Sequence, residues 1–479
     1  MSNHHWLSRL LARLGQVAAV TVLLGILGYP LLHGHFVGSV SPWLGYAAIT
    51  LGFGLGLLLF TWRSGLRSFL DGLSRLSERR YLILLVVLCF AAHFVALRII
   101  DSLPGEKAPD PFGSWLFFKA SAMYPPGHDF LTKAVRFILG DSSLTTILFT
   151  SAMVTFASWL VYRVAGMAYG EAAGRLAGLV LALYPAWLIY GNFEYDLLLG
   201  TLLLLLVYLF FVRPPQSHRF WYLAVFGLIL GFTCLVKPIA TIFPLAALII
   251  YLASNLSFGQ AVKRTVTLGA FMLLAIAPWT VRNYILMDHF VLVSTNSGIV
   301  LHTSNNPDSD GREMTSPLMR PLPGDTDEVE KDRRHLRQAF EWIVHNPMQF
   351  LKLTGYRVTW TWGSDTTFVD SNSVLHGKLS PGAMNAVKGV VQVAYLALVI
   401  VWGVGLILYR RAILASTLPL VILSPIVYIW MLHLVCQAHG QHHLPVMPFV
   451  IILASGTLVL RAGLALGGRP PDAALMEGH

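Results

Sequence analysis

The sequence predicts an all-α membrane protein with about twelve transmembrane helices and two large loops that contain short interfacial helices. Three observations predict it. Hydrophobic residues make up 55% of the 479 and charged residues only 12%, where a soluble domain carries about a quarter charged. Apolar runs of about 20 residues, enough to cross a bilayer, recur along the whole chain. The short loops rich in arginine and lysine all fall on one side when the runs are counted as spans. That placement accounts for the formal charge of +10 and excludes nucleic acid as a partner. Cys89, Cys234 and Cys436 lie in or at the end of apolar runs, so they read as small core residues and not as a disulfide set or metal site.

The spans lie near 16–34, 43–62, 80–99, 144–163, 174–190, 195–212, 220–236, 238–254, 265–284, 388–409, 412–433 and 444–461. Arg9 and Arg13 precede the first run and no small-residue cleavage site follows it, so the run is read as retained. Residues 1–79 then hold two N-terminal helices and a basic loop with Arg63, Arg67, Arg75, Arg79 and Arg80. Residues 80–284 form a transmembrane core interrupted by a first loop, 100–143, in which Ser114–Met123 and Asp129–Leu139 have amphipathic patterns. A second large loop covers 285–387, where Asn346–Trp362 reads as an interfacial helix with Trp360 and Trp362 anchoring it at the membrane boundary. Residues 388–462 supply the last helices, and 463–479 form a polar tail. The basic loops put both termini in the cytoplasm of a multi-pass protein of the bacterial inner membrane. Both large loops then face the periplasm.

Polar groups concentrate at the outward ends. The first loop carries Glu106, Asp110, Lys119 and His128; the YGNFEYD turn carries Glu194 and Asp196. Lys237-Pro238 follows the seventh span, Arg282 ends the ninth, and His439, His442 and His443 precede the twelfth. A carboxylate there is placed to act as general base on an acceptor hydroxyl or amine. Cations are placed to hold a phosphate leaving group and stabilise its growing charge. The combination suits glycosyl transfer from a lipid-phosphate sugar. Each residue also has a plainer role: Asp110 as a helix cap, Lys237 as a snorkelling side chain, Arg282 against a helix dipole, and Asn305-Asn306-Pro307 as a turn. Glu194, Asp196 and His128 suit substrate or a divalent cation, Mg or Mn.

The order of four motifs sharpens this. YPPGHDFLTKAVRFILG, ALYPAWLIYGNFEYDLLLG, APWTVRNYILMDHFVLVSTNSGIVLHTSNNP and QHHLPVMPF occur in that sequence. Together they resemble the GT-C superfamily of integral-membrane glycosyltransferases, most of all the branch of protein O-mannosyltransferases and lipid A aminoarabinose transferases. The resemblance runs from the third span to the last. It implies a polyprenyl-phosphate sugar donor, usually inversion at the sugar carbon, and a catalytic acid in the first outer loop. Asp110 is the first choice for that acid and Glu106 the second. The basic groups at the outward face, Lys119, Lys237, Arg282, His442 and His443, are the candidate phosphate-binding set; the sequence departs from the family at Tyr124, where the family often has a cation, and at the histidine pair, where it has a late arginine. The implied acceptor is a periplasmic lipid, glycan or protein. Two other readings fit the composition: a polymerase or ligase of lipid-linked glycans, and a non-catalytic lipid-glycan flippase or transporter. The latter predicts charges along a path through the bilayer centre, where this sequence has few.

Overall fold

The computed structural model describes residues 5–37, 42–102, 121–189, 194–312, 327–366, 369, 379–414 and 416–464. Glu106, Asp110, Lys119 and most of the predicted helix Ser114–Met123 lie outside them. The described residues form helices joined by turns, with one isolated bridge between Arg312 and Ala438. Helices are expected, because a chain inside lipid must satisfy its backbone polar groups within each span.

In chain order these are α1 (His5–Val37), α2 (Pro42–Thr61), α3 (Arg63–Ser74), α4 (Glu78–Ser102), α5 (Gly127–Leu139), α6 (Ser143–Tyr169), α7 (Glu171–Ala182), α8 (Pro185–Ile189), α9 (Glu194–Val212), α10 (Phe220–Val236), α11 (Phe243–Ala253) and α12 (Phe258–Met287). Then follow α13 (Ser297–Ser304), α14 (Glu328–His345), α15 (Pro347–Trp362), α16 (Pro381–Leu408), α17 (Arg410–Ile413), α18 (Thr417–Leu432) and α19 (Met447–Arg461), which a 3-10 segment, Gly440–Val446, precedes. Among the described residues, six stretches are long and apolar enough to cross a membrane, and four shorter apolar helices accompany them. The predicted span 174–190 is broken into α7 and α8. Pro185 explains the break, since its ring clashes with the preceding turn and it has no N–H to donate.

The core forms around α19, whose residues Met447–Leu460 are all buried. Helices α6, α7, α16 and α18 surround it. A second apolar cluster joins α10 to α12. These two helices meet through Gly227 and Gly231, where an added Cβ would stand 2.5 Å from the Leu268 carbonyl and 2.4 Å from the Met272 carbonyl. Small residues at a crossing are how helices approach closely when lipid offers no hydrophobic drive.

Two expectations change. Arg175, at the start of the predicted span 174–190, is buried. It donates to the carbonyls of Leu73 and Leu76, pairs with Glu171 and stacks over Tyr81 at 5.3 Å. It therefore stitches α7 to the end of α3, a helix absent from the sequence reading. Helix α15 is also not a surface anchor along its whole length. Its C-terminal half packs on α1, and Trp360 and Trp362 are 2% and 1% exposed. Tyr29 of α1 meets Trp360 edge-on at 5.9 Å. Trp360 is covered by α1, while Trp362 stacks on Trp402 of α16 at 6.4 Å and on His443 at 5.5 Å, so α1 acts as a brace against α15.

Replacing Gly231 by valine should push α10 off α12. Overpacking of this kind costs about 1–3 kcal/mol, so the variant should unfold at a clearly lower temperature in detergent. An unchanged midpoint would show that the crossing has slack.

Candidate active site

The site is built where the N-terminus of α9 meets the C-terminus of α10. Asp196 stands in the first turn of α9 and is fully buried. Lys237 caps α10, which ends there because Pro238 follows. The Lys237 Nζ lies 2.6 Å from Asp196 Oδ1. Each charge also suits its helix end, the acid at an N-terminus and the cation at a C-terminus. His128, near the start of α5, acts electrostatically on Asp196, and its Nε2 is 3.3 Å from the Thr132 hydroxyl. Gly127 brings α5 this close, since a Cβ there would lie 2.7 Å from the backbone of Leu235 and Val236.

The 3-10 segment forms the facing wall. It packs against α9, α15, α18 and α19. The ring of His442 stacks on His433 at 4.3 Å, and Lys237 acts electrostatically on both. His433 is oriented by donation from Nδ1 to the Gln437 carbonyl at 2.6 Å. Two buried atoms in this group have no hydrogen-bond partner among the described residues: Asp196 Oδ2 and His442 Nε2. His439 caps the segment, its Nδ1 accepting from the Gln441 N–H at 3.4 Å. Burial first, then the neighbouring His443 and Arg312, push His439 down to about 4, so it stays neutral as that acceptor role needs.

The structure thus brings Asp196, Lys237, His128 and His442 together. It places two other predicted residues differently. His443 is fully buried with both ring nitrogens engaged, Nδ1 on the Thr361 carbonyl at 2.5 Å and Nε2 on Asp365 Oδ1 at 3.1 Å. Its ring nitrogens are therefore engaged within the protein. Arg282 donates from Nη1 to the Ser121 carbonyl at 2.9 Å and to Asn283 Oδ1 at 2.8 Å, over the Trp279 ring at 4.4 Å. It fastens the end of the first loop to α12. Glu194 opens α9, and its side chain lies outside the described ones. No group of three or more His, Cys, Asp or Glu side chains among the described residues is placed to hold a metal ion.

Sequence reasoning passed over His433, Asp365, Tyr184 and Arg357. Arg357 is fully buried and donates to the carbonyls of Leu434 at 2.9 Å and Ser304 at 2.5 Å and to Asn305 Oδ1 at 2.6 Å. It ties the Asn305-Asn306 turn to the end of α18. The one available signal was an acid, Asp365, directly after the apolar WTWGS run.

Residues 123–281, about a third of the chain, match the family described as dolichyl-phosphate-mannose-protein mannosyltransferase. The matched segment spans α5 to most of α12 and so holds His128, Asp196 and Lys237. Among solved structures, the chain is similar to ArnT from Cupriavidus metallidurans bound to undecaprenyl phosphate. That similarity has 14% identity and a TM-score of 0.37 and covers 80% of this chain and 78% of that one. The apo state of the same protein gives 13% identity and a TM-score of 0.34, over 80% and 76%. No curated protein sequence matches the chain.

The buried pair makes a stability prediction. Removing one partner of a buried ion pair costs about 3–5 kcal/mol, because the other charge is left uncompensated. Lys237→Met should therefore destabilise strongly in thermal melts, and adding Asp196→Asn should recover most of the loss without restoring activity. Equal melting of the single and double variants would deny the pairing. A second prediction concerns acid. The folded-state value of His439 lies below its unfolded one, so the unfolded chain binds the proton first. The stability His439 contributes is present above about pH 6.5 and is lost as pH falls towards 4. His439→Asn, which keeps a cap acceptor, should flatten that part of the melting-temperature profile.

Proposed function

We propose that this protein moves one sugar from a polyprenyl-phosphate donor to an acceptor at the periplasmic face of the bacterial inner membrane. The observation that carries the reading is the Lys237 ammonium, 2.6 Å from the buried Asp196 carboxylate and acting electrostatically on His442, whose buried Nε2 has no hydrogen-bond partner among the described residues. A cation and a neutral donor together suit a phosphate oxygen. The family matched by residues 123–281 is named for a lipid-phosphate-linked sugar.

In this mechanism Asp110, with Glu106 as the alternative, takes a proton from the acceptor hydroxyl or amine. The acceptor heteroatom attacks the anomeric carbon opposite the phosphate. The anomeric C–O bond breaks, and the polyprenyl phosphate leaves with the electron pair. A single displacement inverts the sugar carbon. Lys237 stabilises the charge gathering on the phosphate, which is worth most in a site shielded from water. Lys119, from the same loop as the base, is a further phosphate contact. The acceptor is a lipid, glycan or protein carrying a hydroxyl or amine.

General-base catalysis contributes about 10²–10⁴-fold. Asp110→Asn should lose roughly that much turnover in a single-turnover assay with the purified donor, while donor affinity stays within about twofold. Wild-type turnover in a well-folded Asp110→Asn preparation would sink the base assignment. Stereochemistry is read from the same product, and retention would exclude the single displacement.

A further inference from the structure

His442 and His443 are neighbours with opposite surroundings. His443 faces a carbonyl and a carboxylate, which only accept hydrogen bonds. Both ring nitrogens of His443 are therefore taken up by contacts inside the protein. Rings hold it on the faces, Tyr395 at 4.8 Å and Trp362 at 5.5 Å.

Asp365 is held as tightly. The Tyr184 hydroxyl donates to its Oδ2. Its backbone N–H donates to Gln392 Oε1 at 2.9 Å, and Gln392 Nε2 donates in turn to the Gly363 carbonyl at 3.0 Å. The Tyr395 hydroxyl donates to the Trp362 carbonyl at 2.6 Å. Tyr184 comes from the break between α7 and α8, Asp365 follows α15, and Gln392 and Tyr395 belong to α16. All are buried. A buried polar network of this kind is a costly way to close a turn, since apolar packing would serve as well or better. What it does is immobilise His443, the residue directly after His442.

We propose that Tyr184, Asp365 and His443 form a positioning unit that fixes the 3-10 segment so that His442 presents its Nε2 to the phosphate of the lipid donor beside Lys237. The inference rests on the donor reading above. None of the three touches the ligand; they act through His442.

A double-mutant cycle tests this, because residues acting through one another are non-additive whereas independent ones add. The variants are Asp365→Asn, His442→Gln and their combination, with Tyr184→Phe as a milder change that removes one hydroxyl. The readouts are affinity for polyprenyl phosphate alone, by native mass spectrometry titration, and turnover with the sugar-bearing donor. Thermal melting is recorded beside them. Asp365→Asn and His442→Gln should each weaken lipid binding roughly tenfold, and the double variant should be within about twofold of His442→Gln. Tyr184→Phe should weaken binding in the wild-type background and have no effect once His442 is glutamine. Losses that multiply in the double variant, to roughly a hundredfold, would overturn the positioning role and leave the network as scaffold. If the wild-type protein binds no polyprenyl phosphate, the donor reading falls and this proposal with it. If it binds and the losses multiply, the positioning unit alone is wrong.

Discussion

A carboxylate with no exposed surface, Asp196, meets the Lys237 ammonium at 2.6 Å, and the arrangement around the site follows from keeping that pair together. Desolvating either charge alone costs several kcal/mol. The fold reduces that cost by setting the acid at the start of one helix and the base at the end of another. The ends of α9 and α10 must then meet, and the break at Pro238 and the seating of α5 on Leu235 and Val236 follow. The same constraint leaves Asp196 Oδ2 without a hydrogen-bond partner among the described residues.

The longest family-like motif has a structural meaning. In APWTVRNY, Trp279 donates to the Val293 carbonyl at 2.7 Å, Thr280 to Leu292 at 2.8 Å and Asn283 to Val291 at 3.1 Å. The segment Val291–Val293 is thus laid along the end of α12. The Thr295 N–H then donates to the Ala122 carbonyl at 3.0 Å, and Glu328 accepts from the Ala122 N–H at 2.9 Å. The ends of the two large loops are clasped into one layer over the α12 end. Arg282 belongs to that clasp, which is why a cation so promising in the sequence is turned to a carbonyl.

Apolar period and length were enough to place most of the helices, because lipid leaves the backbone few alternatives. The site was legible only where a polar residue ends a span, as at Asp196, Lys237 and His442. Asp365 and Tyr184 were not legible, because each looks like a loop or core residue until α15, α16 and the α7–α8 break converge. Trp360 and Trp362 misled for a related reason. Aromatics near a span end usually mark the membrane boundary, and only the packing of α1 on Trp360 and of Trp402 and His443 on Trp362 shows them covered. The acids of the first loop, Asp110 and Glu106, rest on the motif order alone.

Buried polar atoms separate scaffold from site here. Arg175, Arg357 and Asp365 each hold several partners from distant parts of the chain, and each fastens elements that would otherwise slide. Single unpartnered atoms elsewhere, such as the indole nitrogens of Trp402 and Trp430 or the Thr361 hydroxyl, are scattered through the bundle. Asp196 Oδ2 and His442 Nε2 differ because both belong to groups that act electrostatically with one ammonium, Lys237. Asp196 Oδ2 and His442 Nε2 gain nothing for the fold by lacking a hydrogen-bond partner, since each orphaned group costs about 1–3 kcal/mol. Under the proposed function a sugar joined to a phosphate would complete both, with a hydroxyl for Asp196 Oδ2 and an anionic oxygen for His442 Nε2 and Lys237.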